Sequence, residues 1–172
     1  MKHSLVYWNF LTVLTLFIAC GERESAEELL RQAQTFEQEE KMDEALHAYE
    51  KLAKNYADSE YAEEALQKAA FIYYNNVNDF HKAIEYHERL IKTLPESDFV
   101  ARARFMIGYI YANDIKDYEK AEVAYNEFLQ LHPENELVES VKWELDHLGK
   151  DVNEQLLDLF GSEESNGEAH LK

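Results

Sequence analysis

The chain is short of almost everything that interrupts a helix. It holds 5 glycines and 2 prolines in 172 residues, below ordinary usage, and this excludes a fold built from many tight turns. A single cysteine excludes an internal disulfide framework. Cations are also scarce: 17 Lys and Arg stand against 35 Asp and Glu, a formal net charge of −18. A surface of that sign repels phosphate, so no nucleic-acid partner is expected. The one long apolar run, Leu5 to Ala19, falls short of the roughly 20 residues a spanning helix needs.

The signatures of catalysis are missing as well. There is no HExxH, no phosphate loop and no GxSxG, the patterns that place metal ligands, phosphates or a nucleophile. His81 and His87 are not at the i, i+4 spacing that sets two ligands on one helix face. Asp114 and Asp117 flank a tight turn, where a capping Asp is expected. No catalytic residue, metal or cofactor is therefore expected, and the alternating acids and lysines read as solvated helix faces with local ion pairs.

What is present begins at the first residues. After MKHS, the run LVYWNFLTVLTLFIA fits the hydrophobic region of a secretory signal, and the chain turns polar at once in GERESAEE. The segment Phe17-Ile18-Ala19-Cys20 resembles a bacterial lipobox, with Phe17 where Leu is commonest. The resemblance implies that residues 1–19 are removed and that Cys20 becomes an acylated first residue, an anchor and not a catalyst. Several acyl chains on one residue hold a protein firmly at a membrane. By the same resemblance, Gly21 after the cysteine favours the outer membrane.

The rest of the chain repeats. EALHAYEKLAKNYADSEYAEEAL, KAIEYHERLIKTLPESDFVARARF and KAEVAYNEFLQLHPENELVESVKW align at a step of 38 residues, which links Ala45, Ala83 and Ala121. The same step links Leu52, Leu90 and Phe128; Ser59, Ser97 and Asn135; and Pro95 with Pro133. Ahead of these, Ala70 and Tyr73 recur as Gly108 and Tyr111, while the first copy keeps the set with one residue fewer, as Ala33 and Phe36. Small residues permit close helix approach and the aromatics fill the space between neighbouring hairpins. Ser59, Ser97 and Asn135 are expected to cap first helices, Asp79 and Asp117 second helices, and Ser25 with Glu28 forms a capping-box pattern. Pro95 and Pro133 should end second helices.

This pattern resembles the tetratricopeptide repeat, although His87 replaces the aromatic in unit two and Ala57 the proline in unit one. The implied fold is an all-α solenoid of three hairpins, near 25–57, 59–95 and 97–133, plus a C-terminal capping helix from about Glu136 to Leu148 that Gly149 ends. Val152 to Phe160 could add a short helix. The organisation is then a signal at 1–19, a lipidated linker at 20–24, a repeat array with capping helices at 25–160, and a polar, disordered tail at 161–172.

A stacked array offers a concave face. The residues that the repeat logic leaves free there are Phe71, Tyr74, Asn75, Arg102, Phe105, Tyr109, Asn113 and Trp143, with His147 nearby. Aromatics and arginine are the types in which binding energy concentrates, and the amides suit an extended backbone. Anchor and repeats together resemble the lipoproteins of the outer-membrane β-barrel assembly machinery and the repeat region of the Tol–Pal coordinator. The resemblance implies partners that are envelope proteins or extended peptide segments, contact with the membrane through the N-terminal lipid, and a periplasm-facing place on the outer membrane. Two functions follow from it: an adaptor in outer-membrane protein assembly, or a structural link between outer membrane and cell wall.

Overall fold

The structure, a computed structural model, describes residues 23–150. The signal at 1–19, the Cys20 anchor, the short helix at Val152 to Phe160 and the tail at 161–172 lie outside the described residues. Within them the chain forms α1 (Ala26–Gln38), α2 (Met42–Asn55), α3 (Ala62–Ile72), α4 (Phe80–Thr93), α5 (Val100–Ile110), α6 (Tyr118–Leu131) and α7 (Val138–Asp146). Each helix packs on the next, which makes three hairpins with α7 closing the stack. Among the described residues there is no strand, and no helix is long and apolar enough to cross a membrane.

The repeat positions do what their chemistry requires. Ala33, Ala45, Ala70, Ala83 and Ala121 are fully buried, as are Tyr49, Leu52, Leu90, Tyr125 and Phe128. Asp79 accepts the Lys82 N–H at 2.9 Å and Asp117 the Lys120 N–H at 3.2 Å, so both cap their helices. Ser25 accepts the Glu28 N–H at 3.1 Å, but Glu28 bonds Arg31 and Gln32 instead of completing the box. Pro95 and Pro133 follow the helix ends at Leu94 and His132. Gly149 closes the turn after α7 at φ +74°, and a Cβ there would lie 3.3 Å from the Tyr118 ring.

The expected caps of the first helices are corrected. Ser97 Oγ accepts from the Phe99 N–H at 3.1 Å and Asn135 Oδ1 from the Leu137 N–H at 3.0 Å, while Ser59 Oγ is buried without a partner. Their carbonyls accept the N–H of Ala62, Val100 and Val138 at 3.1 Å. The Ser97 and Asn135 side chains therefore serve a tight turn, Ser59 contributes to its own through the carbonyl alone, and the α-helix begins three residues later, where the cap positions Tyr61, Phe99 and Leu137 make no side-chain cap. A local i→i+2 bond to a Ser or Asn competes with helix entry and holds the turn.

The structure also locates the residue that unit one lacks. In units two and three the first helix widens into a π-helical turn, Tyr73–Val77 and Tyr111–Ile115. The Asp79 N–H reaches back to the Tyr73 carbonyl and the Asp117 N–H to that of Tyr111, each at 2.9 Å; in unit one Lys41 reaches Phe36 at the same distance. One closing bond is thus kept with one residue more inside it, as a π-bulge allows. Glu40, Asn78 and Lys116 follow at φ 58°, 58° and 63°, the left-handed residue that ends each first helix.

A candidate binding groove between the second and third hairpins

The site grows out of the gaps between successive first helices. Between α1 and α3 the gap is sealed: Gln34 donates to Glu64 at 2.9 Å, and Lys68 Nζ lies 2.9 Å from Glu37. The buried Tyr49 hydroxyl donates to the same Glu37 carboxylate at 2.5 Å. Burial first, and that carboxylate second, push the Tyr49 phenol well above its ordinary value. Between α5 and α7 the fully buried Tyr125 fills the space against Gly108, and the Asn113 amide donates to Glu144 at 3.3 Å.

The gap between α3 and α5 is different. It opens into a cavity of about 610 Å³, within the size range of small-molecule and side-chain sites. Phe71, Tyr74 and Asn75 form one wall, Arg102 and Met106 the other, and His87 with Leu90 of α4 the floor. Glu60, Glu63 and Glu64 stand near the start of α3 and Phe99 near the start of α5. Among the described residues none of these three glutamates, nor Arg102, is in an ion pair. His87 is half-buried. Burial, and secondarily the Arg102 charge, push its imidazole down to about 4, so the floor is neutral at pH 7.

The structure therefore brings four of the expected residues together. Phe71 is 58% exposed. Tyr74 is half-buried with its ring 5.8 Å from Phe80, and burial followed by the Asp114 carboxylate raises its phenol. Asn75 is exposed but spends one N–H on the Phe71 carbonyl at 3.0 Å. Arg102 projects from the opposite wall. The other four line no part of this cavity. Phe105 is half-buried in the third unit, with ring centroids 6.0 Å from Tyr109 and 6.2 Å from Tyr125. Tyr109 is likewise half-buried, and the exposed Asn113 amide donates to the Tyr109 carbonyl at 3.3 Å. Trp143 is 55% exposed and stacks on His147 at 4.2 Å.

Sequence reasoning missed eleven lining residues, among them His87, Lys68, Met106 and the three glutamates. One signal was available, since His87 is the repeat's departure from an aromatic. Of the two turn acids, Asp117 is occupied as a cap and pairs with Lys120 at 2.7 Å. Among the described residues no group of three or more His, Cys, Asp or Glu is placed to hold a metal.

The profile of the outer membrane lipoprotein family, YfiO, matches residues 22–117, more than half of the chain. The chain belongs to the YfiO family of outer membrane lipoproteins. A tetratricopeptide-repeat profile matches residues 102–135, across α5 and α6. No match to a curated protein is found. The two profiles together span all three hairpins of this YfiO member, and neither is described by a reaction. Family and repeat fold point to a lipoprotein of the envelope with a protein-interaction role.

Proposed function

We propose that this lipoprotein is a non-catalytic adaptor for outer-membrane protein assembly. It is anchored through acylated Cys20, faces the periplasm, and holds a polypeptide segment of an envelope partner between its second and third hairpins. The observation that carries this reading is the contrast between gaps: polar links and a buried tyrosine close the first, whereas the second is an open cavity walled by exposed Phe71 and by Arg102, which is in no ion pair among the described residues. An exposed aromatic beside such an arginine is the composition of an interaction hot spot.

A second reading, a link between outer membrane and cell wall, is favoured by Val123 (64% exposed) and Leu131 (50% exposed) on α6, whose side chains face solvent away from the cavity. A photo-crosslinking amino acid at position 71 or 123, used in cells with mass-spectrometric identification of adducts, tests both. Barrel-assembly components at 71 are expected. Wall enzymes or Tol–Pal components at 123, with nothing at 71, would replace the adaptor reading by the link.

A further inference from the structure

The 38-residue register lets each gap be compared residue by residue. Tyr49, His87 and Tyr125 are equivalent, and the two tyrosines are fully buried. The Glu37–Lys68 link across the first gap has Tyr74 and Met106 in its place across the second, and the Gln34–Glu64 link has Phe71 and Arg102. Neither replacement pair bonds across the gap among the described residues. His87 makes no hydrogen bond within them either, and its ring is smaller than the phenol that fills the equivalent space on either side. Five residue differences at equivalent places, His87, Tyr74, Met106, Phe71 and Arg102, thus turn a sealed joint into a cavity.

The chemistry of that cavity is asymmetric. Its floor is apolar and neutral, made by Ala70, Leu90 and Ala103 around His87. Its two walls differ in charge: the α3 wall carries Glu60, Glu63 and Glu64, its one cation Lys68 being paired with Glu37, and the α5 wall carries Arg102. Charges set in a concave, partly desolvated site select partners by sign, and an apolar recess favours an apolar side chain by about 25 cal/mol per Å² removed from water.

We propose that this cavity is a side-chain receptor for a partner polypeptide that crosses from α3 to α5. One apolar side chain enters the space above His87, a basic residue on one flank meets Glu60, Glu63 and Glu64, and an acidic residue on the other meets Arg102. The proposal rests on the adaptor reading and names what the groove selects. In a chain of net charge −18, Arg102 is the cation of this cavity outside any ion pair among the described residues, so charge order fixes the direction of the bound segment.

The test pans a random heptapeptide display library over the full-length chain in detergent, as wild type, His87→Tyr and Arg102→Glu. The expected result is enrichment of an apolar residue between a Lys or Arg on one side and an Asp or Glu on the other. His87→Tyr restores the residue that coexists with Ala33 in unit one and should lower capture at least tenfold. Arg102→Glu changes an exposed side chain, should leave the melting temperature unchanged, and should switch the selected acidic flank to a basic one. Peptides captured equally by all three chains, an unchanged preference with Arg102→Glu, or no enriched peptide would each overturn the receptor. Should panning fail while position 71 still crosslinks an assembly component, the receptor falls and the adaptor stands; failure of both removes both.

Discussion

Gly108→Ala tests the packing logic most sharply, because two ordinary effects oppose each other at that residue. Alanine is the better helix former by about 0.8–1.0 kcal/mol, and Gly108 lies inside α5. A Cβ there would stand 2.5 Å from Tyr125 Cε1 and 2.6 Å from Cδ1. The ring cannot retreat, since Tyr125 is fully buried against Phe105 and close to Phe128. Overpacking of this kind costs about 1–3 kcal/mol, so packing outweighs propensity and the variant should lose about 1 kcal/mol net. That is about 3 °C in melting temperature for a chain of this size. The decisive comparison repeats the substitution in a Tyr125→His background, which copies the Ala70 and His87 pair of the second unit. With the large ring gone, Gly108→Ala should become stabilising by about 1 kcal/mol, a coupling of about 2 kcal/mol between residues in contact. Urea unfolding followed by circular dichroism reads both backgrounds. A rise in midpoint for Gly108→Ala in the wild-type background, or the same sign in both, refutes the reasoning.

Three further outcomes are expected. His87 is held down to about 4 from 6.5, so between those values the unfolded chain binds more protons and stability falls as pH falls. Lowering pH from 7 to 5 should cost about 2 kcal/mol, and an unfolding series with His87→Tyr should lack most of that loss; His132, also lowered by burial, accounts for a remainder of the same sign. Asp79→Ala removes a cap on the Lys82 N–H and should cost about 1 kcal/mol, whereas Asp98→Ala, at an exposed turn position, should be neutral in the same melts. Cys20→Ser should move the protein from the membrane pellet to the soluble fraction, and intact mass should show acyl chains on the wild type only; an unacylated full-length mass on both would remove the anchor.

Much of the architecture was legible because the repeat fixes local chemistry. Asp79 and Asp117 cap, the prolines follow helix ends, and the small residues bury where a 38-residue step places them. The missing residue of unit one was also visible, but its resolution into a π-helical turn depends on which carbonyl closes the loop, and residue spacing alone does not decide that. Ser97 and Asn135 illustrate the same limit: the residue type announces a turn or a cap, and backbone geometry chooses the turn. The groove was half legible. Phe71 and Tyr109 hold equivalent places in sequence, yet one faces a cavity and the other lies half-buried in the third unit. The difference resides in pairs that meet across helices, Gln34 with Glu64 and Glu37 with Lys68, and such pairs emerge only after the hairpins are stacked.

That dependence predicts that the second gap can be closed by transplanting the first. The set Tyr74→Glu, His87→Tyr and Met106→Lys rebuilds Glu37, Tyr49 and Lys68 at their register equivalents. A tyrosine bonded to a half-buried carboxylate contributes about 1.5 kcal/mol, the low end for bonds to charged groups, and the half-exposed ion pair adds less than about 1 kcal/mol. Against these gains stands the apolar packing that Tyr74 gives up, since its ring lies against Phe80. A net gain of about 1 kcal/mol is therefore expected, with a higher melting temperature and slower amide exchange along α3 and α5. The single changes should each do worse: Tyr74→Glu alone places a carboxylate beside Asp114, and Met106→Lys alone sets an ammonium one helical turn from Arg102 on α5 without the carboxylate that receives Lys68 in the first gap. If the triple variant is less stable than the sum of its parts, the gaps are not interchangeable. If it is more stable and no longer crosslinks through position 71, the open cavity is a departure from the array's best packing that the chain keeps for a partner.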